Sequence, residues 1–221
     1  MAKTVVVTGA NRGIGLALTE EYLSRGDNVI AICRHASAEL DSTRAKVITG
    51  VEVTDDRCMR ALSSRLPTES IDILINNAGI MHREVLGDID YDDILEQYQV
   101  NAMGPLRVTE ALLGELKHGA KVAFITSRMG SMTDNSSGGA YGYRMSKAAL
   151  NAAGVSLAYD LAGTGIAVAL LHPGFVQTDM VEHAGDIPPT QAARQLAQRI
   201  DELTLENSGG FWHSNGERLM W

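Results

Sequence analysis

A tyrosine and a lysine four residues apart, Tyr143 and Lys147, are the side chains of this sequence whose spacing most directly suggests chemistry. On a helix, residues i and i+4 lie on one side, so both groups could act on the same bound molecule. A free phenol titrates at about pH 10, and a neighbouring ammonium group stabilises the phenolate and lowers that pKa. The pair is therefore a candidate for proton transfer near neutral pH. The spacing alone is common by chance, and Tyr141, six residues before Lys147, is predicted to face away.

A glycine-rich turn, TGANRGIG, spans residues 8–15. Gly9 permits a tight turn, Gly13 lets the backbone come close to a pyrophosphate, and Gly15 lets a helix pack closely on a strand. A helix that begins here would present free N–H groups and the positive end of its dipole to the phosphates. Because the turn lies between a predicted strand and a predicted helix, we favour a dinucleotide site over a merely structural glycine turn.

Short apolar segments alternate along the chain with longer amphipathic ones. The apolar segments are rich in β-branched residues and bounded by turn residues, as buried strands are. The predicted strands are Thr4–Thr8, Asn28–Cys33, Lys46–Val53, Ile71–Asn76, Lys121–Ser127 and Ile166–Leu171. The predicted helices are Ile14–Ser24, Asp56–Leu66, Tyr91–Leu116, Tyr143–Leu161 and Thr190–Leu203, the last with Thr190 as a candidate N-cap.

This alternation predicts a single α/β domain over residues 1–221, built on a Rossmann-type doubly wound parallel sheet with helices on both faces. A last short strand around Phe211 would bring the sheet to about seven strands. Parallel strands of this kind are buried on both sides. That suits a sequence with 45% hydrophobic residues and only 5% aromatic ones.

The composition argues against several other classes of protein. The formal net charge is −8, from 19 basic and 27 acidic side chains, whereas proteins that bind nucleic acids are usually basic. Two cysteines are too few for a disulfide framework, and the six histidines form no zinc-hydrolase motif, so we expect no metal. We find no secretory signal and no apolar stretch of the roughly 20 residues that a membrane span needs. We therefore expect a cytoplasmic protein without nucleic-acid or membrane partners.

The order of the motifs resembles the short-chain dehydrogenase/reductase family. The turn has the TGxxxGIG spacing of that family's cofactor loop, residues 76–79 match its NNAG motif, and YxxxK follows downstream. The resemblance runs from Thr4 to about Met180 and more loosely to Trp221. The segments YRMSKAALN and GIAVALLHPGFVQTDM are most similar to the sniffer and C-factor-like branch of carbonyl reductases.

The resemblance implies hydride transfer between a nicotinamide cofactor and a carbonyl or alcohol substrate, with Tyr143 as the general acid/base. Ser127, at the end of a predicted strand, would hydrogen-bond the substrate carbonyl oxygen, and Ser131 is the fallback. Lys147 would also hold the nicotinamide ribose. Asn101 would help to hold a water in a proton relay, and this role is compatible with an asparagine that bonds backbone groups at a helix kink.

The end of the second predicted strand bears on the choice between NAD and NADP. In dinucleotide folds an acidic residue there binds the ribose 2′-hydroxyl, while a basic residue suits a 2′-phosphate. Here the strand ends without an acidic residue and Arg34 follows it, while Arg12 in the glycine turn could supply the second half of a clamp. We therefore predict NADP(H) rather than NAD(H). The alternative is that both arginines are ordinary surface residues.

The resemblance also implies the remaining cofactor contacts. They come from the glycine turn, from residues 52–53, where Glu replaces the family's usual Asp, from the NNAG motif and from the segment after the sixth strand. The predicted cofactor-binding residues are Gly9, Asn11, Arg12, Gly13, Ile14, Gly15, Arg34, Glu52, Val53, Asn77, Ala78, Gly79, Tyr143, Lys147, Pro173, Gly174, Val176 and Thr178.

The sequence leaves the identity of the substrate open. We expect specificity to come from Met129–Tyr141 and Met180–Pro189, with the residues after Met81 as a further candidate, around a relatively open pocket for a small or aromatic carbonyl. Helices such as Tyr91–Leu116 and Tyr143–Leu161 form subunit interfaces in many members of the family, so we expect a homodimer or homotetramer. The alternative function is an NADP(H)-binding sensor or signalling protein without turnover, although the catalytic set is complete.

Overall fold

The computed structural model describes residues 2–67 and 70–221, and its centre is a seven-stranded sheet. The strands are β1 Thr4–Thr8, β2 Asn28–Ile32, β3 Lys46–Ile48, β4 Ile71–Asn76, β5 Leu116–Ile125, β6 Ala167–His172 and β7 Gly210–His213. Their order is β3-β2-β1-β4-β5-β6-β7, and every neighbouring pair is parallel. The strand order reverses between β1 and β4, as in doubly wound dinucleotide-binding folds. The predicted fold class is confirmed.

Helices cover both faces of this sheet. They are α1 Gly13–Ser24, α2 Ala38–Asp41, α3 Asp56–Arg65, α4 Tyr91–Tyr98, α5 Gly104–Ala111, α6 Tyr141–Ala162 and α7 Pro189–Asp201. Apolar residues of α1 and α7 join one core cluster, and those of α3, α5 and α6 join the other. Because successive strand residues point to opposite faces, Val5 and Val7 of β1 pack under α1, while Val6 packs on the other face. The face that carries α6 is called the α6 face below.

The prediction of one continuous helix from Tyr91 to Leu116 is wrong. After α4, a π-helical turn covers Gln99–Met103, and α5 is followed by a 3-10 turn at Leu113–Glu115. Pro105 explains the break, because it has no N–H group and its ring clashes with the carbonyl four residues earlier, at Asn101. The wider π turn relieves that clash. Asn101 therefore lies in an irregular turn between two short helices.

Some strands differ in length from the predictions. β3 ends at Ile48 instead of Val53, since Gly50 adopts a φ of +67° and turns the chain. β5 begins at Leu116, five residues before the predicted Lys121, and it ends at Ile125. Ser127 therefore lies in the loop just beyond the strand.

The other helices match more closely. α6 begins at Tyr141, two residues before the predicted start. α7 begins at Pro189 with Pro188 as its N-cap, so Thr190 does not cap it. Proline suits the first helical position because its φ is already fixed near the helical value. Within residues 2–67 and 70–221, no helix is long and apolar enough to span a lipid bilayer.

Candidate active site

A cavity of about 700 Å³ opens at the carboxyl ends of the central strands, where the strand order reverses. All of the predicted catalytic and cofactor-binding residues line it except Gly15 and Asn101. Open parallel sheets bind their ligands at this edge. The fold thus gathers residues from the glycine turn, from the loops after β2, β4, β5 and β6, and from α6 around one space.

The glycine turn packs closely against the end of β4. A Cβ atom on Gly9 would lie 2.8 Å from the Cα of Ala78, and one on Gly15 would lie 2.2 Å from the carbonyl oxygen of Gly9. Gly9 and Gly13 also adopt positive φ values of 64° and 54°, which disfavour other residues. Gly15 therefore has the predicted packing role without lining the cavity itself.

The amino terminus of α1 can receive an anion. Its N-cap, Arg12, has extended backbone and makes no side-chain capping bond. The first N–H groups of a helix have no partner within the helix, so those of Gly13, Ile14 and Gly15 need one from outside. The backbone cradle fits a pyrophosphate both sterically and electrostatically.

Asn77 ties β4 to the glycine turn. Its side-chain Nδ2 donates to the carbonyl oxygens of Thr8 at 3.0 Å and of Gly9 at 3.2 Å. The backbone N–H groups of Asn77 and Ala78 donate to the Thr8 hydroxyl at 3.0 and 3.1 Å. The NNAG motif therefore has the structural role that the sequence indicated, beside the space for a cofactor.

The two arginines of the predicted phosphate clamp both line the cavity, and each is paired with a carboxylate. Arg34 lies 3.5 Å from Glu52, and Arg12 lies 3.0 Å from Asp179. Both pairs are exposed, and pairs of this kind contribute little to stability. His35, which follows Arg34, also lines the cavity. His35 was not predicted as a site residue, although a basic residue next to Arg34 was a usable signal.

Tyr143 and Lys147 lie one turn apart on α6 and face the cavity together with Ser127. Both are buried, at 9% and 4% exposure. The Lys147 ammonium donates to the carbonyl oxygen of Ile125 at 2.9 Å and lies 5.6 Å from the centre of the Tyr143 ring. Ser127 caps the short turn that follows β5, where its hydroxyl accepts from the N–H of Met129 at 3.1 Å.

Burial opposes ionisation of both groups on α6. It raises the pKa of Tyr143 to about 12, although a hydrogen bond with Ser127 acts in the opposite direction. It lowers the pKa of Lys147 to about 8. The expectation that Lys147 brings the pKa of the phenol below its usual value is therefore wrong for the chain without a ligand. Removal of the phenolate from water outweighs the effect of its neighbours.

Asn101 is fully buried and does not line the cavity. Its Oδ1 accepts from the N–H of Ile80 at 2.8 Å, while its Nδ2 donates to the carbonyl oxygen of Ile80 at 2.8 Å and to the hydroxyl of Ser146 at 3.0 Å. The side chain thus braces the segment after the NNAG motif against α6. Its role in a proton relay remains a prediction.

Glu84 is a buried carboxylate that was not predicted as a site residue. One of its oxygens accepts from the N–H of Gly142 at 3.1 Å, and the other accepts from the side chain of Gln97. Glu84 therefore holds the first turn of α6, where Ala140 provides no side-chain cap. The 58 residues between Glu84 and Gly142 leave no local sequence signal for this contact.

The predicted specificity segments, with the residues after Met81, contribute Arg83, Met129, Met180, Val181 and Asp186 to the cavity. Further lining residues come from the loop after β5 and from the end of β7, where Arg128 and His213 were not predicted. Met132, at 77% exposure, points into solvent and does not line the cavity.

One group of potential metal ligands exists within residues 2–67 and 70–221, namely His82, Asp93 and Glu96. The Nδ1 atom of His82 lies 2.9 Å from Asp93, and Nε2 lies 3.8 Å from Glu96. None of the three lines the cavity, so this group lies outside the candidate active site.

Comparison with curated proteins identifies relatives over the whole chain. A family profile described as short chain dehydrogenase matches residues 3–187. The 1-hydroxy-2-glutathionyl-2-methyl-3-butene dehydrogenase of Rhodococcus sp. (strain AD45) is 44% identical over 225 residues, covering 99% of both chains. The C-signal protein of Myxococcus xanthus is 47% identical over 166 residues, covering 74% of this chain and 100% of that protein.

Solved structures show the same architecture. An NADPH-bound carbonyl reductase from chicken fatty liver has a TM-score of 0.91 at 30% identity, covering 100% of this chain and 99% of that one. The carbonyl reductase Sniffer of D. melanogaster has a TM-score of 0.90 at 26% identity, with 100% of both chains covered. These matches confirm the resemblance stated from the motifs, including its placement near sniffer and C-factor-like proteins.

The buried amine of Lys147 should make the fold less stable than an apolar side chain would. The pKa falls from its usual 10.5 to about 8 on folding. The charged amine therefore lowers the free energy of unfolding by its full amount below pH 8, and this destabilisation disappears as the pH rises toward 10.5. We expect Lys147→Met to raise the free energy of unfolding at pH 7 by roughly 1–3 kcal/mol, since the lost bond to Ile125 offsets part of the gain.

Urea unfolding at several pH values between about 6 and 10 measures this effect, with exposed Lys46→Met as the control. The difference between the Lys147 variant and the wild type should shrink as the pH rises. A Lys147→Met protein that is less stable than the wild type at pH 7 would contradict the argument.

Proposed function

The chain belongs to the short-chain dehydrogenase/reductase family, and on this premise we propose that it is an NADP(H)-dependent carbonyl reductase with Tyr143 as its general acid/base. The observation that carries the proposal is the convergence of Ser127, Tyr143 and Lys147 on one cavity that also contains the glycine turn. We further propose that the whole chain forms one dinucleotide-binding domain. The cytoplasmic location expected from the sequence stays a prediction.

A bound NADPH would supply the hydride and, once oxidised, a positive charge near Tyr143. Tyr143 gives its proton to the carbonyl oxygen of the substrate as the alcohol forms. The Ser127 hydroxyl donates a hydrogen bond to the same oxygen, where negative charge develops. Lys147 provides a cation that favours the phenolate left on Tyr143, and its remaining N–H groups are available to a ribose hydroxyl. All three side chains are buried, so little of their surface is hydrated.

The choice of NADP(H) rests on Arg12, Arg34 and His35. Their side chains line the cavity with no acidic residue at the end of β2. A phosphate dianion would replace the weak contacts of the arginines to Glu52 and Asp179 with charge-assisted hydrogen bonds. The NADPH-bound reductase from chicken fatty liver, similar over the full length, supports this choice.

The relatives support a carbonyl or alcohol substrate. The Rhodococcus protein is named as a dehydrogenase of a hydroxy compound, and the neighbouring structures are carbonyl reductases. The C-signal protein is a relative of this chain, and its name is the observation in favour of the signalling alternative. This alternative is not favoured, because Ser127, Tyr143 and Lys147 are all present and all line the same cavity.

Replacement of Tyr143 by Phe tests the reaction. The variant removes one hydroxyl from a buried ring, so we expect the rate of carbonyl-dependent NADPH oxidation to fall at least about a hundredfold. NADPH binding, measured by calorimetry, should stay within about threefold of the wild type. Tyr141→Phe is the matched control. Equal turnover by the wild type and Tyr143→Phe would refute the assignment.

Replacement of Arg34 by Asp tests the cofactor. The change introduces the acidic residue that binds a ribose 2′-hydroxyl and repels a phosphate. We expect the ratio of kcat/KM for NADPH to that for NADH to fall by about two orders of magnitude. Arg44→Asp, on the loop before β3 and outside the cavity lining, is the control. An unchanged ratio in Arg34→Asp would exclude Arg34 from cofactor selection.

We also propose a homodimer or homotetramer assembled through α4, α5 and α6. These helices expose the large apolar side chains Tyr91, Leu95, Leu106, Met145 and Tyr159. Light scattering at micromolar concentration should give about two or four times the chain mass of 23.7 kDa. Leu95→Glu should lower that mass, whereas Leu205→Glu, exposed outside these helices, should not. A wild-type mass of 23.7 kDa would contradict the proposal.

A further inference from the structure

Two histidines stand side by side at one end of the cavity. His172 ends β6, His213 ends β7, and the two residues are paired in register. Their rings meet edge to face with centroids 4.8 Å apart, and both rings line the cavity. Leu170 and Phe211, two residues earlier on each strand, pack in the core on the α6 face. Because side chains alternate along a strand, both histidines lie on that same face, which also carries Tyr143 on α6.

A backbone contact fixes the proton on His213. Its Nδ1 accepts from the N–H of Asn215 at 3.0 Å, so the neutral ring carries its hydrogen on Nε2. This Nε2 lies 3.8 Å from the position that a Cβ atom would take on Gly174, another cavity residue. In the part of the chain that the structure describes, Nε2 of His213 has no acceptor. His213 therefore presents an unused donor at the cavity.

His172 is an uncharged residue whose ring packs against His213. Burial, followed by the proximity of His213 and Arg128, lowers the pKa of His172 to about 3. The ring is only 7% exposed, and its buried Nδ1 has no hydrogen-bond partner among the described residues. Its close contact with His213 restricts the orientation of both rings. His172 thus positions His213 without adding charge at neutral pH.

Arg128 brings a guanidinium to the same cavity. It directly follows Ser127, lines the cavity, and lies close enough to both histidines to lower the pKa of each. Its Nε donates to Asp134 at 2.7 Å, which orients the group. A guanidinium has five N–H donors, and neither terminal nitrogen of Arg128 has a partner within residues 2–67 and 70–221. A guanidinium that is held in one orientation, with both terminal nitrogens free to donate, suits the two oxygens of a carboxylate.

We propose that Arg128 and His213 form a subsite for a carboxylate, so that the substrate is a carbonyl compound that also carries a carboxylate group. The inference rests on the proposed reductase function. Since Arg128 adjoins Ser127, the carboxylate lies a short distance beyond the carbonyl that Ser127 holds. Arg128 supplies the charge and the fork, and His213 supplies a single directional donor. His172 is a positioning residue.

The test compares keto acids with their uncharged esters. Benzoylformate, 3-benzoylpropionate and 4-benzoylbutyrate differ in the spacing between carbonyl and carboxylate, and each methyl ester is its neutral control. For at least one spacing, we expect kcat/KM for the acid to exceed that for the ester at least tenfold. Arg128→Met and His213→Phe should each lower this ratio about tenfold or more, because each removes a donor to a charged group.

Matched variants separate recognition from damage to the fold. His213→Gln keeps a side-chain donor, so its ratio of kcat/KM for the acid to kcat/KM for the ester should be higher than that of His213→Phe. His118→Phe makes the same change on an exposed residue of β5 outside the cavity and should leave the ratio as in the wild type. Esters that are used as well as acids at every spacing, or a ratio that neither Arg128→Met nor His213→Phe lowers, would overturn the subsite.

A binding measurement keeps the two proposals distinguishable. Calorimetry measures the affinity of the same three acids for the NADPH-loaded wild type and for Arg128→Met. Turnover of esters without a preference for acids would overturn the subsite and leave the reductase function intact. Acid binding that Arg128→Met abolishes, in a protein that reduces neither acids nor esters, would support the subsite and contradict the reductase function. Absence of both turnover and acid binding would overturn the subsite as well.

Discussion

The packing of the glycine turn on the end of β4 is the constraint on which the candidate site depends. β1 and β4 are neighbours in the sheet, although β2 and β3 lie between them in the chain. Thr8, Gly9 and Asn77 lock their carboxyl ends together, with Asn77 bonded to two carbonyl oxygens of the turn. Any side chain on Gly9 would collide with the backbone of Ala78. The close approach both opens the cleft at the point where the strand order reverses and directs the amino terminus of α1 into it.

The position of α6 is the second requirement, and it is met through buried polar contacts. Asn101 bonds Ser146, Glu84 bonds the N–H of Gly142, and Lys147 bonds the carbonyl oxygen of Ile125. These contacts join α6 to the chain after β4 and to β5. They hold two groups whose burial opposes ionisation, so the site is less stable than an apolar packing would be. That is a common consequence of placing acid/base groups away from water.

The sequence predicts the parts of this molecule that have a local physical signature. The glycine turn, the i,i+4 pair at Tyr143 and Lys147, and the buried parallel strands each follow from spacing or composition within one segment. The break at Pro105 had a local signal as well, but the apolar periodicity across it favoured one long helix. Contacts between distant segments had no such signal. Glu84 reaches Gly142 across 58 residues, and His213 meets His172 only because β7 pairs with β6. The phenol of Tyr143 was assigned the wrong direction of pKa shift because burial could not be estimated from spacing.

The distribution of charge explains how an acidic protein can offer sites for anions. The net charge of −8 describes the whole chain, whereas Arg12, Arg34 and Arg128 all line one cleft. Low-dielectric walls concentrate the field of such groups within the cleft. Guanidinium groups remain charged at every physiological pH, so their attraction for anions does not vary with pH. The cation that lies beside Tyr143 is instead Lys147, whose burial brings its pKa to about 8. In the proposed reaction the permanently charged arginines would therefore serve recognition. Lys147, whose charge can respond to a bound ligand, lies next to Tyr143, the proposed proton donor.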